Sequence, residues 1–222
     1  GGMYFSYGGT ADTCVISQNK ALNHGGGFIS YGNASLVRNC LIDGNSAQTY
    51  AGGGGYFSEG VIMQNCTVVR NFAKRWGGGI YRYTYYSYNP VGRIANSILA
   101  HNFTNLVSGA VTPTNNISSS YYSGAMPHTN GVYYSCAAEF APITNDNSNL
   151  DPQFINAGSG YYTNYAPGRY QLTYASPLLN TGSNQTWMTG AFDLDGAPRI
   201  QQRRVDPGAY EKMAPAAILR IR

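Results

Sequence analysis

Charged residues are scarce in this sequence: Asp, Glu, Lys and Arg make up only 11% of its 222 residues. It has no acidic or basic block of the kind found in disordered tails. No apolar run approaches the roughly 20 residues that a membrane-spanning helix needs, so we expect no membrane span. The formal charge of +4 comes mostly from scattered basic residues near the end of the chain, too sparse a basic face to predict nucleic-acid binding.

The sequence also lacks an initiating methionine and a signal peptide. It opens on Gly1-Gly2-Met3, which belongs to the middle of a repeat unit described below. We therefore expect a fragment or a mature piece of a longer polypeptide, with the leader and the first coils preceding Gly1.

Long stretches of helical periodicity are missing as well. A helical repeat would need roughly 10 to 15 residues of 3.6-residue periodicity in each unit. Instead, 28 glycines and 20 tyrosines accompany abundant Asn, Ser and Thr. This composition favours short strands joined by tight turns, and hence an all-β fold.

A repeat runs through the first half of the chain. Each unit begins with Asn or Thr followed by Cys or Ser and carries an Asn six residues later, at 13–21, 39–47, 65–73 and 96–104. The first three units begin 26 residues apart, and the fourth begins 31 residues after the third because of a Tyr-rich insertion near residues 83–90. Glycine pairs recur between the units, at Gly1-Gly2, Gly26-Gly27, Gly54-Gly55 and Gly78-Gly79. Two markers recurring in constant order indicate a repeat architecture.

Short strands at this period predict a right-handed parallel β-helix, a solenoid with about 24 to 31 residues per coil and a non-repeating C-terminal cap. Each strand then pairs in parallel with its equivalent about 4.8 Å away in the next coil. We divide the chain into β-helix coils with irregular loops at 1–147, final coils and cap at 148–211, and a basic tail at 212–222.

Equivalent positions of successive coils must form columns. The predicted columns are Val37, Met63 and Ile94; Ile16, Ile42, Val68 and Leu99; Cys14, Cys40, Cys66 and Ser97; and an asparagine ladder of Asn39, Asn65 and Asn96. A second set, Asn19, Asn45, Asn71 and Asn102, is predicted to take a left-handed conformation at the next corner. The glycine pairs are predicted to form the third corner, where the backbone needs positive φ or close approach.

The cysteines and histidines predict neither disulfides nor a metal site. Stacked, in-register cysteines have parallel Cβ vectors about one strand spacing apart, which favours free buried thiols, and Cys136 is predicted to be another buried filler. His24, His101 and His128 have no partner at metal-ligand spacing, so we expect them on the solvated surface.

Over residues 1–105 the repeat resembles the pectate-lyase-like β-helix families, whose coils are rich in Asn-Cys and Gly-Gly motifs. A second resemblance covers residues 148–211. It includes Asp151-Pro152-Gln153-Phe154, Ala175-Ser176-Pro177-Leu178 and Val205-Asp206-Pro207-Gly208-Ala209-Tyr210. This run is similar to the C-terminal module of exported proteins called choice-of-anchor Q domain proteins. The resemblance implies export, to a secreted or cell-surface location, and a β-helix body; it supplies no established activity.

Physically, residues 193–211 predict a cap over the open end of the solenoid. Turn-forming residues and opposite charges occur there together: Asp193, Asp195, Arg199 and Asp206. Pairing with Arg199 is the favoured interpretation. A calcium site built from the three aspartates is the alternative, since carboxylates on short loops suit a hard cation.

No catalytic constellation emerges from the sequence, so catalysis is the less favoured interpretation. Glycoside hydrolysis needs two facing carboxylates, but Asp12, Asp43 and Glu59 fall at different positions of their coils. Glu139, Asp146 and Asp151 lie in the irregular region without a signature spacing.

A tyrosine cluster offers a binding surface instead, because aromatic faces stack on sugar rings. Its members are Tyr81, Tyr83, Tyr85, Tyr86 and Tyr88. We therefore expect a structural or glycan-binding surface module whose partner is a polysaccharide. A polysaccharide lyase or glycoside hydrolase is the first alternative. A fibre subunit that self-associates through an exposed N-terminal β-helix edge is the second.

Overall fold

The computed structural model describes residues 1–31, 34–58, 60–84, 92–107, 110–112, 116–121, 124–125, 131–140, 145–201 and 203–213. Over these residues the chain is all-β, and its helical segments are two short 3-10 turns at Tyr162–Asn164 and Thr186–Met188. None of the helices in this part of the chain is long and apolar enough to cross a membrane.

Four successive coils each contribute four short strands. The first coil holds β1 (Met3–Phe5), β2 (Gly9–Asp12), β3 (Val15–Ser17) and β4 (Lys20–Ala21). The second holds β5 (Phe28–Ser30), β6 (Ser35–Arg38), β7 (Leu41–Asp43) and β8 (Ser46–Ala47). The third holds β9 (Gly55–Phe57), β10 (Ile62–Gln64), β11 (Thr67–Val69) and β12 (Phe72–Ala73). The fourth holds β13 (Ile80–Thr84), β14 (Arg93–Ala95), β15 (Ile98–Ala100) and β16 (Phe103–Val107).

Six further strands follow: β17 (Ala110–Thr112), β18 (Ile117–Tyr121), β19 (Gly124–Ala125), β20 (Val132–Tyr133), β21 (Phe154–Asn156) and β22 (Arg169–Leu172).

Equivalent strands stack into four parallel sheets. Sheet A is β1-β5-β9-β13-β18, sheet B is β2-β6-β10-β14-β20, sheet C is β3-β7-β11-β15 and sheet D is β4-β8-β12-β16. The antiparallel strands β17 and β19 extend sheets D and A, and β21 pairs antiparallel with β22. This topology is consistent with a parallel β-helix, and we call the body from β1 to β20 the solenoid. The prediction of stacked parallel strands in an all-β chain is confirmed.

The predicted aliphatic columns lie in register inside the solenoid. Val37 pairs with Met63 and Met63 with Ile94, while Ile16, Ile42, Val68 and Leu99 align across sheet C. These side chains are buried in one hydrophobic core. Because the strand side-chain period is two, the neighbouring positions on each strand point outward.

A ladder of asparagine amides runs through the corner between sheets C and D. Each side-chain oxygen accepts from both the backbone N–H and the side-chain Nδ2 of the asparagine one coil earlier, through Asn19, Asn45, Asn71, Asn102 and Asn116. The second proton of each central amide goes to an internal backbone carbonyl, as from Asn71 Nδ2 to the Ile42 oxygen at 2.9 Å. Every polar group of the buried amide thus has a partner.

Glu139 ends this ladder. Its carboxylate accepts from the backbone N–H of Asn116 and, at 3.1 Å, from Asn116 Nδ2. A carboxylate is the right terminator because the final asparagine presents two donors and a carboxylate only accepts. Burial raises the pKa of Glu139, and the hydrogen bonds from Asn116 oppose that shift.

The left-handed corners fall one position away from where the sequence pattern puts them. Left-handed φ occurs at Gln18, Gly44, Arg70 and His101, each directly before the ladder asparagine that was predicted to adopt it. Asn39, Asn65 and Asn96 take φ values near 50°, at 55°, 49° and 48°. The amide-ladder residues Asn19, Asn45, Asn71 and Asn102 do not take the left-handed conformation, because their side chains must point inward to reach the amide of the next coil.

Asn39, Asn65 and Asn96 form only a partial ladder. Asn96 Nδ2 donates to Asn65 Oδ1 at 3.3 Å, whereas Asn39 Nδ2 donates to Thr13 Oγ1. All three amides also donate outward, to the backbone oxygens of Phe192, Asp206 and Ser183 respectively. Their main role is therefore to hold the C-terminal segment.

The glycine corner depends on close backbone approach. A Cβ at Gly53 would lie 2.3 Å from the backbone oxygens of Gly78 and Phe72. The positive φ belongs to the glycine just before each pair: Gly25, Gly52 and Gly77. In register, Phe28 pairs with Gly55, so the pair equivalent to Gly26-Gly27 is Gly53-Gly54 and not Gly54-Gly55. The position opposite Phe28 also requires glycine, since a Cβ at Gly55 would lie 2.3 Å from the Phe28 ring.

We call residues 154–211 the module. It packs along the side of the solenoid, whereas the sequence predicted a cap over the open end. Phe154, Tyr170, Leu172 and Leu178 pack with Leu41, Val69, Ile98 and Cys136 from the outer face of sheet C in a second hydrophobic core. Ala209 N–H donates to Thr67 Oγ1 at 2.9 Å. Near the C-terminal end of the solenoid, Phe140 is fully buried in the main core. The module covers the side because the outer face of sheet C is itself apolar.

We expect Asn71→Ala to destabilise the chain by about 3 kcal/mol or more, because it orphans buried donors and acceptors in two coils. Asn71→Asp should be worse at pH 7, since it replaces the donor with a buried charge. The folded-state pKa of that new carboxyl would lie above its unfolded value, so stability should recover as the pH falls through it. Urea denaturation at several pH values measures both effects.

The exposed Asn164 supplies the matched control, and Asn164→Ala should change the free energy of unfolding by less than about 0.5 kcal/mol. Equal denaturation midpoints for Asn71→Ala and Asn164→Ala would contradict the role of the ladder.

Tyr165 donates its hydroxyl hydrogen bond to the buried carboxylate of Asp43, joining the module to sheet C. We expect Tyr165→Phe to cost about 1–3 kcal/mol at pH 7, because Asp43 then keeps a buried charge with one donor fewer. Burial already raises the pKa of Asp43, and loss of the donor raises it further. The difference from wild type should therefore shrink at low pH, where a protonated Asp43 no longer needs the donor.

Tyr174→Phe is the control, since its exposed hydroxyl donates only to the backbone oxygen of Met213. A Tyr165→Phe variant as stable as Tyr174→Phe at pH 7 would show that this contact does not hold the module.

Candidate functional site

A continuous surface of aromatic rings covers the outer face of sheet A and the corner that leads into it from sheet D. We call it the aromatic platform: Tyr4, His24, Tyr31, Tyr50, Tyr56, Trp76 and Tyr81. Ring centroids of Tyr56 and Tyr81 lie 5.4 Å apart and nearly parallel, and those of Tyr31 and Tyr56 lie 5.6 Å apart. Tyr4 continues the row at 6.1 Å from Tyr31.

Parallel pairing puts these rings together. Tyr4, Ile29, Tyr56 and Tyr81 are equivalent positions on successive strands of sheet A, facing outward opposite the inward Phe28 and Phe57. The corner adds His24, Tyr50 and Trp76, with Tyr50 and Trp76 at 5.2 Å and Trp76 and Tyr81 at 6.2 Å. Coils 26 residues apart in sequence thereby contribute adjacent rings.

The platform has an exposed rim and a buried floor. The side chains of Tyr4 and Tyr31 are 64% and 49% exposed, whereas Tyr56 and Tyr81 are below 10%. Tyr81 Oη shares a 2.6 Å hydrogen bond with Ser120 Oγ, which holds that ring in place. The guanidinium of Arg75 lies 4.9 Å from the Tyr50 ring centroid, a cation–π geometry. The surface is thus rigid and amphipathic.

His24 is half-buried among the platform rings, whereas the sequence predicted a fully solvated position. Its ring centroid is 4.6 Å from those of both Tyr50 and Tyr56. Burial lowers the pKa of His24, which favours the neutral imidazole. The aromatic neighbours come from the next coil, which is why the residue could not be recognised from its own segment.

Of the predicted tyrosine cluster, Tyr81 and Tyr83 lie on β13, and Tyr83 packs beside Tyr56 and Tyr81. Tyr85, Tyr86 and Tyr88 lie outside the described residues. Sequence reasoning missed the other platform residues. The available signal was an aromatic two residues after one of the glycines in three of the coils, at Tyr4, Tyr56 and Tyr81.

Comparisons with protein-family models, with curated proteins and with solved structures gave no match.

The three aspartates proposed as a calcium site stabilise turns of the module. Asp193 accepts from the backbone N–H groups of Asp195, Ala197 and Glu211, and Asp206 accepts from those of Asn180 and Lys212. Asp195 accepts from Gln171 Nε2. Over the described residues no group of three or more His, Cys, Asp or Glu side chains is arranged to hold a metal ion.

The favoured interpretation paired Arg199 with these aspartates, but its salt bridge is with another residue. Its Nη1 lies 3.0 Å from Glu211 Oε1, with both side chains buried, and Nη2 donates to the Gly208 oxygen. Backbone N–H groups already engage Asp193 and Asp206, and Gln171 engages Asp195. Glu211 is therefore the carboxylate that pairs with the buried guanidinium, whose Nε has no partner among the described residues.

The cysteine column is in place. Cys14, Cys40 and Cys66 each direct Sγ toward the backbone oxygen two residues earlier, and Ser97 Oγ makes the same contact. All four cysteines of the chain are free. The hydrogen bond with Cys66 and then burial raise the pKa of Cys40, and burial raises the pKa of Cys14, so these thiols stay protonated and act as small fillers.

A separate cavity of about 250 Å³ lies beside the last coil and the segment that precedes the module, lined by residues that include His101, Cys136 and Asp151. Burial raises the pKa of Cys136 to about 12, which disfavours a nucleophilic thiolate. Burial also lowers the pKa of His101, which is half-buried with its ring centroid 6.3 Å from that of Phe154, whereas the sequence predicted a solvated position. Asp151 caps a local turn by accepting from Gln153 N–H, and Asp146 is exposed. Two of the three carboxylates of the irregular region thus already have structural partners: Asp151 in this turn and Glu139 at the end of the asparagine ladder.

We expect an NMR titration to show His24 with a midpoint below its ordinary value of 6.5, assigned with the His24→Asn variant. The unfolded chain then binds a proton before the folded one, so the free energy of unfolding should fall as the pH drops below 6.5. Part of this loss should disappear in His24→Asn. A native midpoint at or above 6.5 would place His24 outside the apolar contact described.

Proposed function

We propose that this chain is an exported or cell-surface module with a right-handed, pectate-lyase-like β-helix body that binds glycans through the aromatic platform. Export and the surface location rest on the resemblance of residues 148–211 to choice-of-anchor Q domain proteins. The right hand follows the general preference for right-handed crossovers between parallel strands.

The observation that carries the proposal is the unbroken row of rings from Tyr4 to Trp76. Tyrosine and tryptophan present large, rigid and amphipathic faces, which pack on the apolar faces of sugar rings at low entropic cost. Exposed aromatic rings in one contiguous patch of a protein surface usually mark an interaction surface. The partly exposed rings at the rim would make first contact with a chain-like ligand.

A polysaccharide lyase or glycoside hydrolase is the alternative. It needs convergent carboxylates or a basic residue beside a carboxylate. Segments 18–31, 44–57 and 70–84, which build most of the platform, contain no Asp or Glu. Asp12 is paired with Arg38 on sheet B, and Asp43 is buried under the module. Catalysis would therefore have to use another face of the molecule.

A self-assembling fibre subunit is the second alternative. Among the described strands, β1, β2, β3 and β4 each pair on one side only. Strand addition at that edge is a general route to assembly. Sedimentation velocity at increasing concentration tests it, and a monomer throughout would remove this alternative.

We expect Tyr31→Ala to weaken glycan binding by about three- to tenfold, because one aromatic contact contributes about 0.5–1.5 kcal/mol. Trp76→Ala should weaken it at least as much, since Trp76 joins the corner rings to sheet A. A glycan array identifies the ligands, and isothermal titration calorimetry measures the affinities of wild type and variants. The same glycans incubated with the protein should show no new reducing or unsaturated ends.

Tyr174→Ala is the matched control, because Tyr174 is an exposed tyrosine (60%) on the module and outside the platform. Equal losses at Tyr31 and Tyr174, or wild-type affinity in Trp76→Ala, would remove the platform as the binding surface. Turnover of any glycan would favour the enzyme alternative.

A further inference from the structure

A cleft of about 500 Å³ opens on the outer face of sheet D, next to the platform. Its floor comes from β12 and β16 and the residues after β8 and β12, and its wall comes from the module. The residues that line it are Gln48, Thr49, Phe72, Lys74, Asn105, Tyr161 and Thr163.

The cleft combines an aromatic floor with amide and hydroxyl groups. The Tyr161 ring lies 5.3 Å from that of Phe72, nearly parallel to it, and 5.0 Å from that of Phe103. Asn105 Oδ1 is buried without a hydrogen-bond partner among the described residues. Apolar walls with a few directed polar groups are the usual makeup of a small-molecule subsite.

Charge on this side of the solenoid is of one sign. The segments 18–31, 44–57 and 70–84 run through sheet D, the corner and sheet A, and all five of their charged side chains are basic. Arg70 and Arg82 are held by hydrogen bonds to backbone and serine oxygens. Lys74, in the cleft, and Arg75, beside it, are exposed. Neither salt bridge between described residues lies on this side, and the three segments contribute no carboxylate that would repel an anion.

The cleft and the platform are joined through consecutive residues. Thr49 lines the cleft and Tyr50 belongs to the platform; one coil later Lys74 lines the cleft, and Arg75 and Trp76 lie at the platform. A ligand chain resting on the rings therefore passes within reach of the Lys74 ammonium and the Arg75 guanidinium.

We propose that the cleft is an anion-binding subsite and that the ligand of the platform is an anionic glycan, carrying carboxylate or sulfate groups, bound without a metal ion. This inference rests on the proposed function. Lysine and arginine attract the anionic groups of a chain, and on a surface that lacks acidic side chains no carboxylate opposes this attraction. The three segments provide no carboxylate that could hold a bridging cation.

Affinities for three glycans of equal length test the inference: one neutral, one uronate-bearing and one sulfated, at low and at physiological salt and with EDTA. We expect wild type to prefer one or both anionic chains and to lose that preference as salt rises, since exposed charges are screened. EDTA should change nothing. Which anionic chain binds tighter distinguishes a carboxylate ligand from a sulfate ligand.

Lys74→Glu should weaken binding of the anionic chains by about five- to tenfold at low salt and leave the neutral chain unchanged. Arg203→Glu is the control, because it makes the same charge change at an exposed residue on the module. Thermal denaturation checks that both variants fold like wild type.

The outcomes separate the two proposals. If no glycan binds, the proposed function fails. If the neutral chain binds as tightly as the anionic chains, or if Lys74→Glu and Arg203→Glu behave alike, only this inference fails. Loss of binding in EDTA would overturn its metal-free part, and single-stranded DNA binding as tightly as the anionic glycans would overturn the glycan specificity.

Discussion

The buried amide ladder is the interaction on which the rest of the structure depends. Each asparagine from Asn45 to Asn116 accepts from the coil before it and donates to the coil after it, so a slip of one residue in any coil would orphan several buried polar groups at once. Glu139 closes the series with an acceptor. Once the register is held, the core columns inside and the aromatic rows outside follow from strand geometry alone.

The module imposes the second constraint. The outer face of sheet C is apolar, and the strands there carry aliphatic residues at consecutive positions, as in Leu41-Ile42 and Ile98-Leu99. Strands buried on both faces have this continuous apolar character, whereas half-exposed strands alternate. That signal was present in the repeat and indicates a lateral cover. Val15, in the first coil, is 59% exposed, so the cover does not extend along the whole sheet.

Prediction from the sequence succeeded where spacing alone decides the outcome and failed where a choice depended on one neighbour. The 26-residue period was enough to align Ile16 with Ile42 and Val68. The run Gly52 to Gly55 allowed two alignments, and only the strand pairing, which puts Phe28 opposite Gly55, shows which one is adopted. Tyr81 was recognised within a local tyrosine cluster, but His24, Tyr50 and Trp76 lie in three different coils with no local pattern linking them.

The sequence by itself determined the period, the parallel stacking and the identity of the core columns, because these depend on which residue types recur at which interval. Only the tertiary structure decided which corner residues are left-handed, which charges pair and where the module lies. Those outcomes depend on contacts whose spacing in the sequence follows no repeat. Tyr165 and Asp43 are 122 residues apart, whereas Arg199 and Glu211 are 12 residues apart. The same holds for the platform and the cleft, since both are formed by side chains that meet only when the coils are stacked.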